Sequence, residues 1–316
     1  MQDALAKEKW TVFEVLRWTT QRFSKHGMAT PRLDAEILLA HCLSVDRLRL
    51  YLDCDKPLAK EELQKYGILV RRRLKSEPVA YLIGEKEFWS LRFEVNPSVL
   101  VPRPETELLV EIALAWIDQK QAAMERSLET ECVSKTNLNV VDLGTGSGAV
   151  AIALAHERPD ICVWGVDVDP KAVTVAKRNA ERNNTKVSFC CGDLLASIPS
   201  ELQIDLLVAN LPYVPTNDFL RLNPEVRDWE PRVALDGGQD GLDLVRRLIT
   251  EGKSRVKNGA FWAFEIDPSQ AQVVKNLLSS HSFGQIQTHR DLAGLDRVVS
   301  GVFLDQCRLL GHGLAP

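Results

Sequence analysis

Val140-Val141-Asp142-Leu143-Gly144-Thr145-Gly146-Ser147-Gly148-Ala149 is a buried-strand pattern that turns sharply through glycines into an apolar helix. Glycines at alternate positions let the backbone bend tightly and approach a ligand with no Cβ in the way. The next apolar run, Cys162-Val163-Trp164-Gly165-Val166, ends in Asp167. An acid about 20 residues past a glycine turn, at the tip of the following strand, is placed to hold ribose hydroxyls. A third run ends at Gly192-Asp193, and a fourth, Ile204–Ala209, ends in Asn210-Leu211-Pro212-Tyr213. Consecutive strands finishing in polar or glycine residues predict one rim of a parallel sheet. Ligands bind beyond such carboxyl ends.

Two cofactor classes fit the turn and the acid. Gly144, Gly146 and Ala149 satisfy the G-x-G-x-x-G/A pattern of nicotinamide enzymes. Asp142, Gly144, Gly146 and Gly148 satisfy the D/E-x-G-x-G-x-G pattern of S-adenosylmethionine enzymes. The glycines do not choose. The tetrapeptide at Asn210 does, because Asn-x-Pro-Tyr there resembles the motif of methyltransferases acting on planar amino groups, amides and the exocyclic amines of bases.

The chain has 316 residues, room for two domains, and its 45% hydrophobic content supports sizeable cores. Lys plus Arg total 39 against 43 Asp plus Glu, a net charge of −4, which disfavours a long grip on a nucleic-acid backbone. The charged N-terminus lacks an apolar signal region and no long apolar run occurs, so a soluble, unsecreted chain is expected. Seven cysteines without a C-x-x-C read as reduced and buried as small hydrophobes, and no histidine spacing suggests a metal.

Residues 1 to about 76 read as a helical domain. Val12, Val15, Leu16 and Thr19 share one helical face. Thr30-Pro31 opens a helix whose early acids complement the dipole, with Leu33, Ile37 and Leu38 at helical spacing. A further helix from near Pro57 buries Leu63, Tyr66, Val70 and Leu74, and its end, Arg71-Arg72-Arg73, reads as a solvated last turn, the alternative being a docking surface for an acidic or RNA-bearing partner. Residues 77–104 are expected to form a β-hairpin, its strand cleanest over Trp89–Val95 with Ile83-Gly84-Glu85 turning into it, followed by a proline-rich link. The catalytic domain is expected over 105–316, with a helix from Thr106 to about Ile117 and an exposed linker or frayed helix end over 118–137. Asp169-Pro170 reads as a helix N-cap, and Gly237-Gly238-Gln239 as turn chemistry.

The chain resembles the peptide chain release factor glutamine methyltransferases, protein-(glutamine-N5) methyltransferases, over nearly its full length. The matching pieces are Pro31–Glu36, Pro78–Gly84, Val101-Pro102-Arg103-Pro104-Glu105-Thr106-Glu107, Asn210–Tyr213, Trp229-Glu230-Pro231 with Ala234–Leu242, and Arg290–Gly294. The proline-rich link and Leu-Asp-Gly-Gly-x-Asp-Gly are more specific than the glycine turn. Where the family has Asn-Pro-Pro-Tyr, this chain has Leu211, as ribosomal RNA adenine dimethyltransferases do. Leucine offers the same backbone carbonyl and loses only the rigidity of proline.

The resemblance implies an α/β fold: a Rossmann-like class I S-adenosylmethionine-dependent methyltransferase domain with an N-terminal helical, release-factor-binding domain joined by a β-hairpin. It implies methyl transfer to the glutamine amide of the Gly-Gly-Gln motif of class I release factors, supporting translation termination; the alternative is N6-adenine methylation of RNA or DNA. The backbone at Gly144, Thr145, Gly146, Ser147 and Gly148 would face the methionine part of the cofactor, Asp167 the ribose, and Asp193 with Leu194 the adenine. Asn210 borders cofactor and substrate; its side-chain oxygen and the Leu211 carbonyl would accept the two N–H groups of the amide. Pro212 completes the catalytic tetrapeptide, and Tyr213 would cover the amide or face the sulfonium. No membrane or stable nucleic-acid partner is expected, and the chain is expected to work as a monomer in the cytoplasm, or in an organelle if the source is eukaryotic.

Overall fold

The computed structural model describes residues 9–128 and 137–305. The chain forms two compact units, Met1–Glu85 with Asn223–Trp229, and Lys86–Leu222 with Glu230–Pro316. The first holds α1 (Val12–Lys25), α2 (Pro31–Leu43), α3 (Arg47–Leu52), α4 (Lys60–Arg73) and α5 (Val79–Ile83). Thr11 and Glu14 close a reciprocal capping box at the start of α1, which buries Val12, Val15, Leu16, Thr19 and Phe23. In α2 the buried apolar residues are Ala35, Leu38 and Leu39, while Leu33 is exposed, contrary to the spacing argument.

Asp34 stands in the first turn of α2, as the dipole expectation has it, and the early acids also serve buried ion pairs. Glu36 is buried and accepts from Arg32, Arg47 and Tyr51. Asp34, also buried, pairs with Arg73 at 2.8 Å. The basic end of α4 is only partly the solvated turn expected, since Arg71 and Arg72 are exposed but Arg73 is buried. Arg72 pairs with Glu77, and Arg73 is 4% exposed, bonded to Asp34, to the Glu77 carbonyl and to Glu225 at 2.8 Å. A buried guanidinium needs such partners on every side.

The hairpin is made by β1 (Glu85–Phe88), whose first residue closes the first unit, and β2 (Leu91–Glu94). Its turn is Trp89-Ser90, both at positive φ as a two-residue hairpin turn demands, whereas Gly84 at φ +79 caps α5. No glycine marks that turn. Contacts hold it instead, with the Trp89 amide and indole donating to Glu107 and Glu157, both at 2.8 Å. A short 3-10 turn, Pro104–Thr106, leads into α6 (Glu107–Leu128). That helix continues well past Ile117, so the expected linker is helical to Leu128. Its Gln, Ala, Lys and Glu residues favour helix by propensity without apolar periodicity; residues 129–136 lie outside the described residues.

The sheet follows as β3 (Asn139–Leu143), α7 (Ala149–Glu157), β4 (Cys162–Asp167), α8 (Pro170–Arg182), β5 (Val187–Cys191) and β6 (Ile204–Ala209). A single helical turn, α9 (Pro224–Arg227), lies in the excursion Asn223–Trp229 that packs with the first unit, where Trp229 donates to the Lys75 carbonyl at 3.1 Å. Then come α10 (Asp243–Gly252), β7 (Val256–Glu265), α11 (Ala271–Ser279), β8 (Phe283–Arg290) and β9 (Asp296–Phe303). The strand order is β5-β4-β3-β6-β7-β9-β8. Pairing is parallel from β5 to β7, and β9 is antiparallel to both β7 and β8. The core includes fully buried Trp262 and Phe264 against Leu207, Leu248 and Val274.

The chain moves outward from β3 to β4 and β5, then returns to the other side with β6. That reversal opens a crevice between the carboxyl ends of β3 and β6. Leu143 pairs with Val166 on one side and Ala209 on the other, so Gly144 and Asn210 leave the sheet at one level. Among the described residues no helix is long and apolar enough to cross a membrane. The five described cysteines form no disulfide and none is fully buried; Cys42 packs against the core of the helical unit, but Cys162 and Cys191 are exposed, contrary to expectation, while Cys132 and Cys307 lie outside the described residues.

Candidate active site

The crevice is a cavity of about 520 Å³, a size suited to a small ligand. Gly144, Thr145, Gly146, Ser147, Asp167, Asp193, Leu194, Asn210, Leu211 and Pro212 all line it. Gly148 and Tyr213 do not belong to this wall. A Cβ on Gly148 would meet Ile152 at 2.9 Å, Ala176 at 3.2 Å and Phe189 at 3.3 Å, so this glycine lets α7 pack closely against its neighbours. At Gly144 (φ +70) a Cβ would stand 3.3 Å from the Asn210 carbonyl oxygen, at the floor of the crevice.

Two acids build the turn itself. Buried Asp142 accepts from the Thr145 hydroxyl at 2.6 Å and from the Ala151 amide at 3.2 Å. Burial pushes its carboxyl up to about 7, against the pull of those two bonds. Asp167 accepts from the Gly146 amide through Oδ2 and the Asp169 amide through Oδ1, both at 2.9 Å. Its pKa is also raised, by burial first, with the two backbone bonds opposing. Each of its oxygens keeps a second lone pair for a ligand hydroxyl. Asp169 caps α8 by accepting from Lys171 at 2.8 Å, as its place before Pro170 predicts. Exposed Asp193 is held by Arg247 at 2.8 Å, beside Leu194 at φ +48.

The lining carries Asp142, Asp167, Asp169, Asp193, Asp236 and Asp243 against one basic residue, Arg103. That balance suits a cationic ligand and opposes the pyrophosphate of a dinucleotide. The glycine cradle, the half-committed Asp167 oxygens and the acidic lining together fit S-adenosylmethionine, which carries a sulfonium, an ammonium and ribose hydroxyls.

The tetrapeptide is braced from below. Val214 exchanges backbone bonds with Leu235 and Gly237, both at 2.9 Å, which draws Leu235–Gly241 under it. A Cβ on Gly237 would strike the Pro212 carbonyl, and one on Gly241 (φ +80) the Tyr213 carbonyl. The Tyr213 carbonyl also accepts from Gln270 at 2.9 Å. Gly-Gly-Gln here is turn chemistry, with Gly238 at φ +91 and Gln239 exposed.

Sequence reasoning missed the other wall. Asn210 Nδ2 donates to the Thr106 hydroxyl at 3.3 Å, and that hydroxyl acts to lower the pKa of the Glu265 carboxyl. Arg103 pairs with buried Glu230 at 2.6 Å. Burial pushes Glu265 up to about 7, opposed by the Thr106 bond and by Arg297 and Arg103. The Tyr213 phenol is pushed up to about 12, by burial and then by the nearby Glu265. A lone acid inside Phe261–Ile266, an otherwise apolar buried strand, was the available signal for Glu265.

The PrmC N-terminal domain family matches residues 14–84, and the Methyltransferase small domain family matches residues 115–220. The release factor glutamine methyltransferase of Geobacter sulfurreducens is 40% identical over 294 residues, covering 93% of this chain and 97% of that protein. Those of Rhodopirellula baltica, at 38% with 92% and 96% covered, and Chlorobaculum tepidum, at 37% with 92% and 97% covered, are similar over the same span. The hMettl16 catalytic domain, solved in complex with the MAT2A 3'UTR hairpin 6, shares the fold with a TM-score of 0.52 at 15% identity, over 69% of this chain and 77% of that one. The glycine turn, the strand-end acids and the tetrapeptide thus lie in a methyltransferase fold, and the full-length likeness makes the chain a member of the release factor glutamine methyltransferase family.

Proposed function

We propose that this chain methylates the side-chain amide of the glutamine in the Gly-Gly-Gln motif of peptide chain release factors. The observation that carries the reading is Asn210, at the switch point of the sheet, lining one cavity with the glycine turn and Asp167. When bound, S-adenosylmethionine supplies a methyl group activated by its sulfonium. The backbone from Gly144 to Ser147 holds its methionine part, Asp167 accepts from its ribose hydroxyls, and Asp193 with Leu194 borders its adenine.

An amide nitrogen is a poor nucleophile because its lone pair is delocalised into the carbonyl. Its two N–H donors also need acceptors once water is excluded. The Asn210 side-chain oxygen takes one and the Leu211 carbonyl the other, which fixes the nitrogen in the plane that chemistry requires. Alignment of this kind accounts for roughly 7–11 kcal/mol in favourable cases. Leu211 is 5% exposed, so packing supplies the rigidity that proline gives elsewhere in the family. Tyr213 lies outside the cavity wall and acts by anchoring the tetrapeptide rather than touching the reacting atoms. The N-terminal helical unit, about residues 1–76, supplies binding energy for the folded release factor, so a short Gly-Gly-Gln peptide is a poor substrate.

The test is mass spectrometry of an intact release factor and of total RNA after incubation with labelled S-adenosylmethionine. One methyl on the Gly-Gly-Gln glutamine is expected. Label confined to RNA ends the reading and favours the adenine alternative.

A further inference from the structure

We propose that Thr106 and Glu265 are positioning residues that decide which end of the Asn210 side-chain amide faces the substrate. The proposal rests on the reading of Asn210 as an acceptor for the substrate amide. Asn210 and Glu265 sit side by side on neighbouring parallel strands, since Ala209 pairs with Phe264. Thr106 reaches Asn210 from the end of its 3-10 turn, and its hydroxyl also acts on the Glu265 carboxyl, which sets it between the two.

The polarity of this line follows from proton counting. A hydroxyl has one proton to give, and an ionised carboxylate can only accept. Facing ionised Glu265, the Thr106 proton is committed to the carboxylate, and the Thr106 oxygen is left to accept. Asn210 then presents its NH₂ to Thr106 and keeps its oxygen for the cavity. If Glu265 is protonated it can donate to Thr106, which frees the Thr106 proton for the Asn210 oxygen. The amide then turns over and offers donors to a substrate that itself brings two donors.

Several observations point to Glu265 as the control. It is 3% exposed, and its Oε2 has no hydrogen-bond partner among the described residues. The charged and titratable groups around it are Arg297 on β9, Arg103 and Glu105 before α6, and Tyr213 after β6. Both arginines are committed elsewhere, Arg297 to Asp291 at 3.1 Å and Arg103 to Glu230 at 2.6 Å. Burial therefore keeps the carboxyl titrating at about 7, where a relay of this kind responds to pH.

Turnover of an intact release factor at saturating S-adenosylmethionine, with cofactor affinity from calorimetry, tests the proposal. Thr106→Val should lower kcat about tenfold or more while cofactor affinity and KM for the release factor stay within about threefold, and Thr106→Ser should restore most of the loss. In the wild type kcat/KM should rise with pH through about 7, because the ionised form of Glu265 is the competent one. Glu265→Gln, which can always donate to Thr106, should give low activity without that rise. Full activity of Thr106→Val, or a Glu265→Gln variant that keeps the wild-type rise, overturns the relay. If Thr106→Val does not fold, judged by its failure to bind cofactor, the two pH profiles decide. Asn210→Ala separates the levels. If it turns over normally the acceptor reading itself fails, whereas a dead Asn210→Ala beside an active Thr106→Val removes only the relay.

Discussion

Asp167 divides its work between the fold and the ligand. Its two oxygens pin the Gly146 and Asp169 amides, so the same carboxylate that shapes the glycine turn meets the cofactor. Asp167→Asn keeps the size but loses the charge, and its NH₂ must face one of two backbone N–H groups. Cofactor affinity measured by calorimetry should fall by roughly 1.5–3 kcal/mol, the worth of hydrogen bonds to a charged group. Undiminished affinity would remove Asp167 from the ribose contact. This residue was legible in the sequence because a local pattern, acid at a strand tip after a glycine turn, encodes its place. The partnership of Thr106 and Glu265 with Asn210 was not, since both lie far from it in the chain; the pairing of β6 with β7 sets Glu265 beside Asn210, and Thr106 comes from the 3-10 turn before α6.

At the scale of elements, the same contrast separates what was read from what was missed. The strands of the parallel sheet and the N-caps announce themselves by apolar runs, glycines and Asp-Pro. The hairpin turn at Trp89-Ser90 and the burial of Arg73 depend on partners brought by folding, among them Glu107 and Glu225. The segment Leu235–Gly241 is the element whose shape matters most to the tetrapeptide, and its glycines serve close approach. Gly241 and Gly294 share a positive φ, +80 and +77, but only Gly241 lies against other atoms, while nothing stands within 4 Å of a Cβ on Gly294. Alanine at either position carries the left-handed backbone cost of roughly 1–2 kcal/mol. Gly241→Ala should lose substantially more stability than Gly294→Ala in chemical denaturation and should also lose turnover, because it displaces the Tyr213 carbonyl. Equal losses would mean that the close approach has no energetic consequence.

For the molecule as a whole, buried carboxyls tie stability to pH. Glu265 titrates at about 7 in the folded chain against 4.5 for an ordinary glutamate, so between those values the folded state holds a proton that the unfolded state releases. Its contribution is therefore favourable at low pH and is lost as pH rises through that window, by an amount on the order of 3 kcal/mol. Asp142, also at about 7, acts in the same direction. Thermal melts should show Glu265→Gln gaining on the wild type from about pH 4.5 to 7 and levelling off above, and a constant difference would refute the linkage. The excursion Asn223–Trp229 has a different consequence. Because it leaves the sheet unit to pack with the helical one, a truncation at Glu85 does not sever two independent modules. Residues 86–316 alone would carry Glu225 and Trp229 without Arg73 and the Lys75 carbonyl, while residues 1–85 alone would leave the Arg73 guanidinium short of one carboxylate. Recombination among relatives that exchanges the helical unit therefore has to carry a seven-residue passenger from the far half of the gene, or mismatch its own seam.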